Sequence, residues 1–556
     1  MDYDVIVIGS GAGGGPVALE CAKAGKSVLV LEKGYWLNEG DFAKDDLASY
    51  IHNAYTPDLR DEQHVIEEMD EMGDWHAEAG SESGWSFWNG SLVGGASNLM
   101  SGFFYRLKPQ DFYLRSEFGP IEGANVADWP ISYEDMEPWY SKVELEVGIS
   151  GQVQRHPLLE PRSSADFPYP PTREHPIVSM IDNACESLGY HALRTPRAIL
   201  SVSDKDRRGC EYSGFCGSYG CHSGAKGSSR AALLNRALKT GYCKIQPESK
   251  VTRLISNSAG KVVSVEYVDK HNKRTTLSAK VFVVACHAIE SSRLLLASVG
   301  ERHPDGLGNR YQQLGKNLLF SAGGAGTGEF TYGKMDKIMA EAMNTRGPFV
   351  NRGLQDWYFI DDEFMGGRVK GGTIDFLLRH PGPMGRAMGL PFDDNGLVWG
   401  KALKQRLKST FTTTQDLRFE VFNDWLPTDN CFVSLDHQVK DKWGSPVARV
   451  RIGYHQQDLK VGEFLSQKAV GVMEAMHADN IRYSVSGTPT PNLVAGGCRF
   501  GHDPKISVLD KDCRIHDVDN VYVTDGSFMP TGGSVPYTWT IYANAFRVAD
   551  IIKARV

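Results

Sequence analysis

Three features of the sequence predict an α/β protein: a Rossmann-like parallel sheet, accompanied by a second, α+β part built on an antiparallel sheet. An apolar strand at Tyr3–Ile8, a glycine-rich turn and a second strand at Ser27–Leu31 open the chain. Apolar strands recur at Val281–Ala285 and Val521–Val523, late enough to bring the chain back to the same sheet. Between them, residues 320–485 carry strand patterns such as Leu417–Phe422 and Val447–Ile452 but no glycine-turn signal of the opening kind.

In the opening element Gly9, Gly11 and Gly14 stand in G-x-G-x-x-G spacing. The first permits the tight turn, the second lets backbone approach a pyrophosphate, and the third lets the helix pack on the strand. Amides at the helix N-terminus then face the phosphates. Glu32, at the end of the second strand, is placed to accept hydrogen bonds from an adenosine ribose, which argues against a 2′-phosphate. Its position at the head of the chain, with a later return, favours FAD over NAD.

The chain of 556 residues with 41% hydrophobic content can bury large cores and is long enough for two or more domains. A net charge of −8 and the absence of a lysine-arginine block exclude a basic field for nucleic acid. No run of about twenty apolar residues predicts a membrane span. Met1-Asp2-Tyr3 leads directly into a strand, so no export signal of its own is expected. That places the protein in the cytoplasm, or in the periplasm if a partner subunit carries it there.

Residues 37–85 are polar and acidic and read as a solvated lid or loop with some helix. Then comes Trp88-Asn89-Gly90-Ser91-Leu92-Val93-Gly94-Gly95-Ala96-Ser97-Asn98, with Arg106 beyond it. Paired glycines admit a flat, phosphate-linked cofactor close to backbone, and Ser97 and Asn98 offer hydrogen bonds. This stretch resembles the G-x-x-x-G-G-x-S signature of the glucose-methanol-choline (GMC) oxidoreductases. The resemblance implies a GMC-type FAD domain, with backbone of this loop around the FAD pyrophosphate and flavin. Asp128–Ile131 followed by Tyr133–Gly148 reads as a turn and an amphipathic helix and is similar to a stretch of bacterial FAD-dependent sugar dehydrogenases. The proline-rich segment 157–171 marks a surface excursion.

Alternating runs from 245 to 285 read as a β-meander that rejoins the parallel sheet. The family likeness implies adenine against backbone near Val251. Cys286–Leu296 resembles the second family signature, with His287 where the family has glycine. Gly496–Gly501 and Asn520–Ser527 resemble the family's return to the cofactor, which implies Asp525 beside the FAD ribityl-phosphate region.

Ten cysteines in a chain this long are no disulfide scaffold, but Cys210, Cys216 and Cys221 cluster on a glycine-rich loop, 209–226. Three thiolates there could converge on a soft metal. The readings left open by the residues are a loop with buried free thiols and a zinc site with His222 as fourth ligand. The loop resembles the cluster loop of FAD-dependent glucose, fructose, gluconate and glucoside 3-dehydrogenase catalytic subunits, and the likeness implies a 3Fe-4S iron-sulfur cluster. Family ligands are spaced C-x5-C-x3-C, whereas this loop has C-x5-C-x4-C.

GMC enzymes oxidise an alcohol by hydride transfer to flavin while a histidine takes the hydroxyl proton, beside a second histidine or an asparagine. The positions of that pair are Leu493 and Pro536 here, and neither moves a proton. Asn492 and Tyr537 are their nearest polar neighbours. Tyr537 is therefore expected as the acid or base and Asn492 as the group that orients substrate.

The expected organisation is an FAD-binding domain from 1–130, 200–318 and 487–556, and a substrate domain from 131–199 and 319–486. The function implied by the resemblance is dehydrogenation of a sugar, glycoside or related polyol. Its electrons would leave through the cluster to a cytochrome c or quinone, with a small subunit as partner. Two alternatives stand beside it: desaturation next to a carbonyl, where no alcohol base is needed, and a non-catalytic flavin electron-transfer subunit.

Overall fold

A computed structural model describes all residues except 43, 47–57, 71, 88, 322, 380–381 and 394–395. Trp88, and parts of the acidic stretch 37–85, lie outside the described residues.

The chain forms a mixed α/β fold in which the first sheet collects strands from both ends. Strands Cys243–Gln246, Val28–Leu31, Tyr3–Ile8 and Arg274–Val284 lie side by side and parallel, and Val521–Val523 adds to the far edge of the last. The short apolar runs have the look of strands buried on both faces, and the register delivers it: Val5 lies between Val28 and Val281, all three buried. The meander expected at 245–285 is present as Lys250–Ser256, Val262–Val268 and the first half of Arg274–Val284, all antiparallel.

The helix Gly14–Lys23 leaves the first strand and packs on the C-terminal helix Thr538–Arg555. Gly9 (φ +95°) turns the chain so tightly that a Cβ there would stand 2.2 Å from the Ala285 carbonyl oxygen. A Cβ on Gly14 would stand 2.1 Å from the Gly9 carbonyl oxygen, so both positions exclude any side chain.

The second sheet is antiparallel, in the order Asp479–Ser484, Gly324–Thr331, Thr414–Asn423, Gly372–Leu378, Arg352–Leu354 and Ala192–Arg194. One face carries Leu417, Phe419 and Val421 into a core with Val461, Leu465 and Val472 of the helix Gln456–Ala475. Period-two alternation then points Glu420 and Phe422 to the opposite face.

Two expectations are corrected. The second part of the acidic stretch is not a loop with helix alone: Val65–Met69 and Trp75–Ala79 are strands, followed by the single helical turn Gly80–Ser83. Val65–Met69 pairs with Trp75–Ala79 on one side and with Pro446–Ile452 on the other, and Phe432–Lys440 completes a separate four-stranded sheet, so Val447–Ile452 does not belong to the substrate sheet. Glu67 is accommodated by Arg449 and Arg451 at 2.7 and 2.6 Å. Tyr133–Val143 is a helix, as its pattern predicts, begun by a Ser132–Asp135 capping box. It packs on Thr538–Arg555 and so against the parallel-sheet half. The buried guanidinium of Arg106 holds it there through Glu137 and Glu144, at 2.9 and 2.7 Å. No helix among the described residues is long and apolar enough to cross a membrane.

Candidate active site

A cavity of about 280 Å³ runs from the N-terminal turn to the second sheet. At one end it is lined by Gly9, Gly11, Glu32 and Val251, in its middle by Gly95, Ser97 and Asp525, and at the other end by Glu420, Phe422, Asn492, Leu493 and Tyr537.

The turn is built for a phosphate-linked ligand. Gly11 has nothing within 4 Å of where its Cβ would be, so its backbone faces open space. The helix that follows has no side-chain cap at Gly13; its Gly14 and Gly15 amides donate to the Gly11 carbonyl at 3.1 and 3.0 Å, and the backbone of Gly11, Ala12 and Gly13 ahead of them lines the cavity. Thr524 Oγ1 donates to the Gly13 carbonyl at 2.9 Å, stapling the returning C-terminal strand to the turn. Asp525 is fixed by Ser527 N–H at 2.9 Å and by the hydroxyls of Ser527 and Ser291. Burial raises its carboxyl above the usual range.

Glu32 is buried, and burial raises its pKa against hydrogen bonds from the Ser10 hydroxyl and the Gly34 and Ser10 amides. Ser10 Oγ donates to Glu32 at 2.5 Å and accepts from Gly94 N–H at 2.8 Å, so one hydroxyl joins the acid to the glycine loop. The sequence reading missed Ser10, because serine in a variable slot of the motif carries no signal of its own.

Gly94, at φ +98°, and Gly95 turn that loop. A Cβ on Gly94 would meet Arg230 Cβ at 2.8 Å. Asn98 does not reach the cavity: its Nδ2 donates to the Val93 and Gly95 carbonyls at 3.1 and 2.9 Å and braces the turn. Ser97 lines the cavity, donates to the Gly94 carbonyl at 2.6 Å and accepts from Ser229 N–H at 2.9 Å. Gly14 and Gly94 likewise shape the walls without lining them. The set fits FAD, with an open backbone cradle, a buried acid for the ribose and a cavity that continues to a second, polar end. His287 also lines it, at φ +82°, the backbone region in which the family's glycine is at ease. Burial pushes its imidazole down to about 4, so it is neutral at pH 7.

At the far end the two expected catalytic residues behave differently. Asn492 lines the cavity with its Oδ1 buried and without a partner among the described residues. Tyr537 also lines it, but its hydroxyl donates to the Leu493 carbonyl, and burial pushes its pKa well above 10. Leu493 adopts φ +58° beside it. The Tyr537 hydroxyl thus braces the Leu493 turn, a packing role that stands beside the expected one as acid or base.

The cysteine loop brings its three thiols to one place. Cys210, Cys216 and Cys221 border one cavity of about 30 Å³, the size of a water. Among the described residues, however, no group of three or more Cys, His, Asp or Glu is disposed to hold a metal ion. The sulfurs pack against Ile199, Leu200 and Ala225. Burial pushes the Cys210 thiol up to about 12 and raises Cys216; burial also raises Cys221, but Lys226 and local hydrogen bonds bring it below its usual value. His222 turns to Glu211, 2.6 Å away, and is unavailable as a zinc ligand. Lys226 is buried and donates to the carbonyls of Asn98, Cys216 and Tyr219 at 3.0, 2.9 and 2.8 Å. The loop thus buttresses the glycine loop, and an iron-sulfur cluster in it is not shown.

Comparison with known proteins matches residues 77–321 and 427–545 to GMC oxidoreductase and residues 4–39 to an FAD binding domain. The chain is 29% identical to the 6'''-hydroxyparomomycin C oxidase of Streptomyces lividus, covering 100% of this chain and 92% of that one. It is 28% identical to the 2-methyl-1,2-propanediol dehydrogenase of Mycolicibacterium austroafricanum, covering 99% and 95%. Among solved structures it resembles pyridoxine 4-oxidase from Mesorbium loti, with a TM-score of 0.63, 17% identity and 99% coverage of both chains, a likeness of fold.

Proposed function

The chain belongs to the GMC oxidoreductases, FAD-dependent enzymes acting on CH–OH groups, and on that premise we propose that it oxidises a hydroxyl of a sugar, glycoside or related polyol. The observation that carries the reading is one cavity, with the FAD cradle at one end and Glu420 and Asn492 on a largely apolar wall at the other. The relatives named for 6'''-hydroxyparomomycin C and for 2-methyl-1,2-propanediol support the substrate class.

FAD, when bound, supplies the hydride acceptor. The chain's own residues do the rest. The turn Gly9–Gly13 and Gly95 would hold the pyrophosphate and Glu32 the ribose, while Asp525 and its serines fix the returning strand. Phe103, Phe104, Phe422 and Leu493 exclude water from the far end. Asn492, with its oxygen free, offers an acceptor to a substrate hydroxyl. The reading ends at the reduced flavin.

Anaerobic mixing of the holoenzyme with polyols, sugars and amino sugars should bleach the flavin absorbance. Bleaching only by ketones or carboxylic acids would favour desaturation, and bleaching by none would make the chain an electron carrier.

A further inference from the structure

Alcohol oxidation needs a group to take the hydroxyl proton, and the two positions where the family keeps that group hold Leu493 and Pro536. Among the described residues, the far end of the cavity has one acidic side chain that can serve. Glu420 lines it from the middle of the strand Thr414–Asn423, and its side chain keeps 30% of its surface accessible. Its lean toward the cavity is fixed by the strand, because Leu417, Phe419 and Val421 commit the other face to the core.

Directly opposite, on strand Gly372–Leu378, stands Asp375, in register with Glu420. Residues so paired have side chains on the same face, about 5 Å apart at Cβ. Asp375 is wholly buried; its Oδ1 accepts from the Tyr105 hydroxyl at 2.5 Å, and its Oδ2 has no partner among the described residues. The charged groups facing the pair are Arg418, 3.8 Å from Glu420 on the same strand, and Arg197. Arg197 is engaged elsewhere, donating to Asn351 Oδ1 and to the Ser101 and Val350 carbonyls at 3.0, 3.1 and 2.8 Å. The third strand in contact presents Ala325 at this level.

We propose that Glu420 is the catalytic base, taking the hydroxyl proton of the bound alcohol, with Asp375 opposite it as the neighbouring carboxyl that senses its charge. The inference rests on the alcohol-oxidation reading. In the step the O–H bond breaks with its proton going to the Glu420 carboxylate, the C–H electron pair leaves as hydride to the flavin, and C–O becomes C=O. The electrostatics suit that role, since burial raises Glu420 against Arg418 and Arg197, and burial raises Asp375 to about 7, with Glu420 adding to the rise. A base with a raised pKa is active when deprotonated, so the rate is full above that pKa and is lost as pH falls through it.

The test uses holoenzyme and an alcohol that bleaches the wild-type flavin. Glu420→Gln should slow anaerobic flavin reduction by about 10²–10⁴-fold at full flavin content and abolish the acid limb. Glu420→Gln also removes a like charge from beside Asp375, so the Asp375 carboxyl should titrate at lower pH in that variant, while Asp375→Asn should leave the limb and the flavin content unchanged; a packing role for Glu420 produces no such shift. Infrared titration should show a carboxyl band that protonates along the limb in wild type and is missing in Glu420→Gln. Reduction within a few-fold of wild type in Glu420→Gln overturns the proposal and leaves the alcohol reading standing. Failure of every alcohol to bleach wild type overturns both. If Glu420→Gln sheds its FAD, the wild type decides: a flat pH profile, or no carboxyl titrating with the rate, overturns the proposal.

Discussion

The N-terminal turn and the cysteine loop are both glycine-rich, both carry a spacing that speaks of a cofactor, and they meet at Asn98, where Lys226 of the second grips the loop that completes the first. They fold to opposite ends. In the turn the glycines are forced by backbone approaching backbone, and Gly11 is left facing open space. In the cysteine loop the chemistry-bearing side chains pack inward on Ile199, Leu200 and Ala225, while the polar contacts are made by carbonyls. The lesson is that spacing is strong evidence when it constrains backbone and weaker when it only collects side chains, whose direction other parts of the chain decide.

The sharpest way to break this contrast is within the turn itself. Gly9→Ala places a Cβ 2.2 Å from the Ala285 oxygen at φ +95°, and should cost on the order of 3 kcal/mol, seen as a lowered denaturation midpoint with loss of FAD. Gly11→Ala meets nothing and should change the apoprotein's stability by less than about 0.5 kcal/mol. It should still weaken FAD binding at least about tenfold, since the methyl stands where backbone must approach phosphate. Equal losses in the two variants would mean that Gly11 is a packing glycine too.

A second prediction joins the two regions. Lys226→Met strands three carbonyls that a buried ammonium now satisfies at 2.8–3.0 Å. Stability should fall by about 3 kcal/mol, and FAD should dissociate faster because the Gly94–Asn98 turn loses its floor. Unchanged FAD release at reduced stability would uncouple the loops.

How much the sequence told follows the same line. The parallel sheet, the meander and the Ser132-capped helix were legible because each is written in a local pattern. The strands Val65–Met69 and Trp75–Ala79 were not, since what tames Glu67 is a pair of arginines at 449 and 451. Nor was the Glu420–Asp375 pair, which exists only through cross-strand register. Ser10 was hidden as an unspecified residue inside a recognised motif. Tyr537 was placed at the cavity by the sequence, but its partner, the Leu493 carbonyl, depends on a left-handed backbone at Leu493 that nothing in the residue type announces. Tyr537→Phe should accordingly cost about 1 kcal/mol of stability and change flavin reduction no more than a few-fold. A drop of about a hundredfold with FAD retained would return the hydroxyl to the chemistry.

The smallest expected effect is at the centre of the cysteine loop. Cys216 is joined to the cradle through its carbonyl, which accepts from Lys226 at 2.9 Å, while its sulfur borders a cavity the size of one water. Cys216→Ser keeps the carbonyl and nearly the same volume, so the bond that supports the glycine loop survives. Burying a hydroxyl in place of the thiol should cost about 1 kcal/mol or less, provided water or a neighbour accepts its hydrogen bond. Flavin content and anaerobic reduction rate should match wild type within a few-fold, and iron and acid-labile sulfide should lie far below one per flavin in both proteins. Stoichiometric iron in the wild type that disappears in Cys216→Ser would mean that the loop closes on a metal, and that the difference between the two glycine-rich regions is one of occupancy rather than of construction.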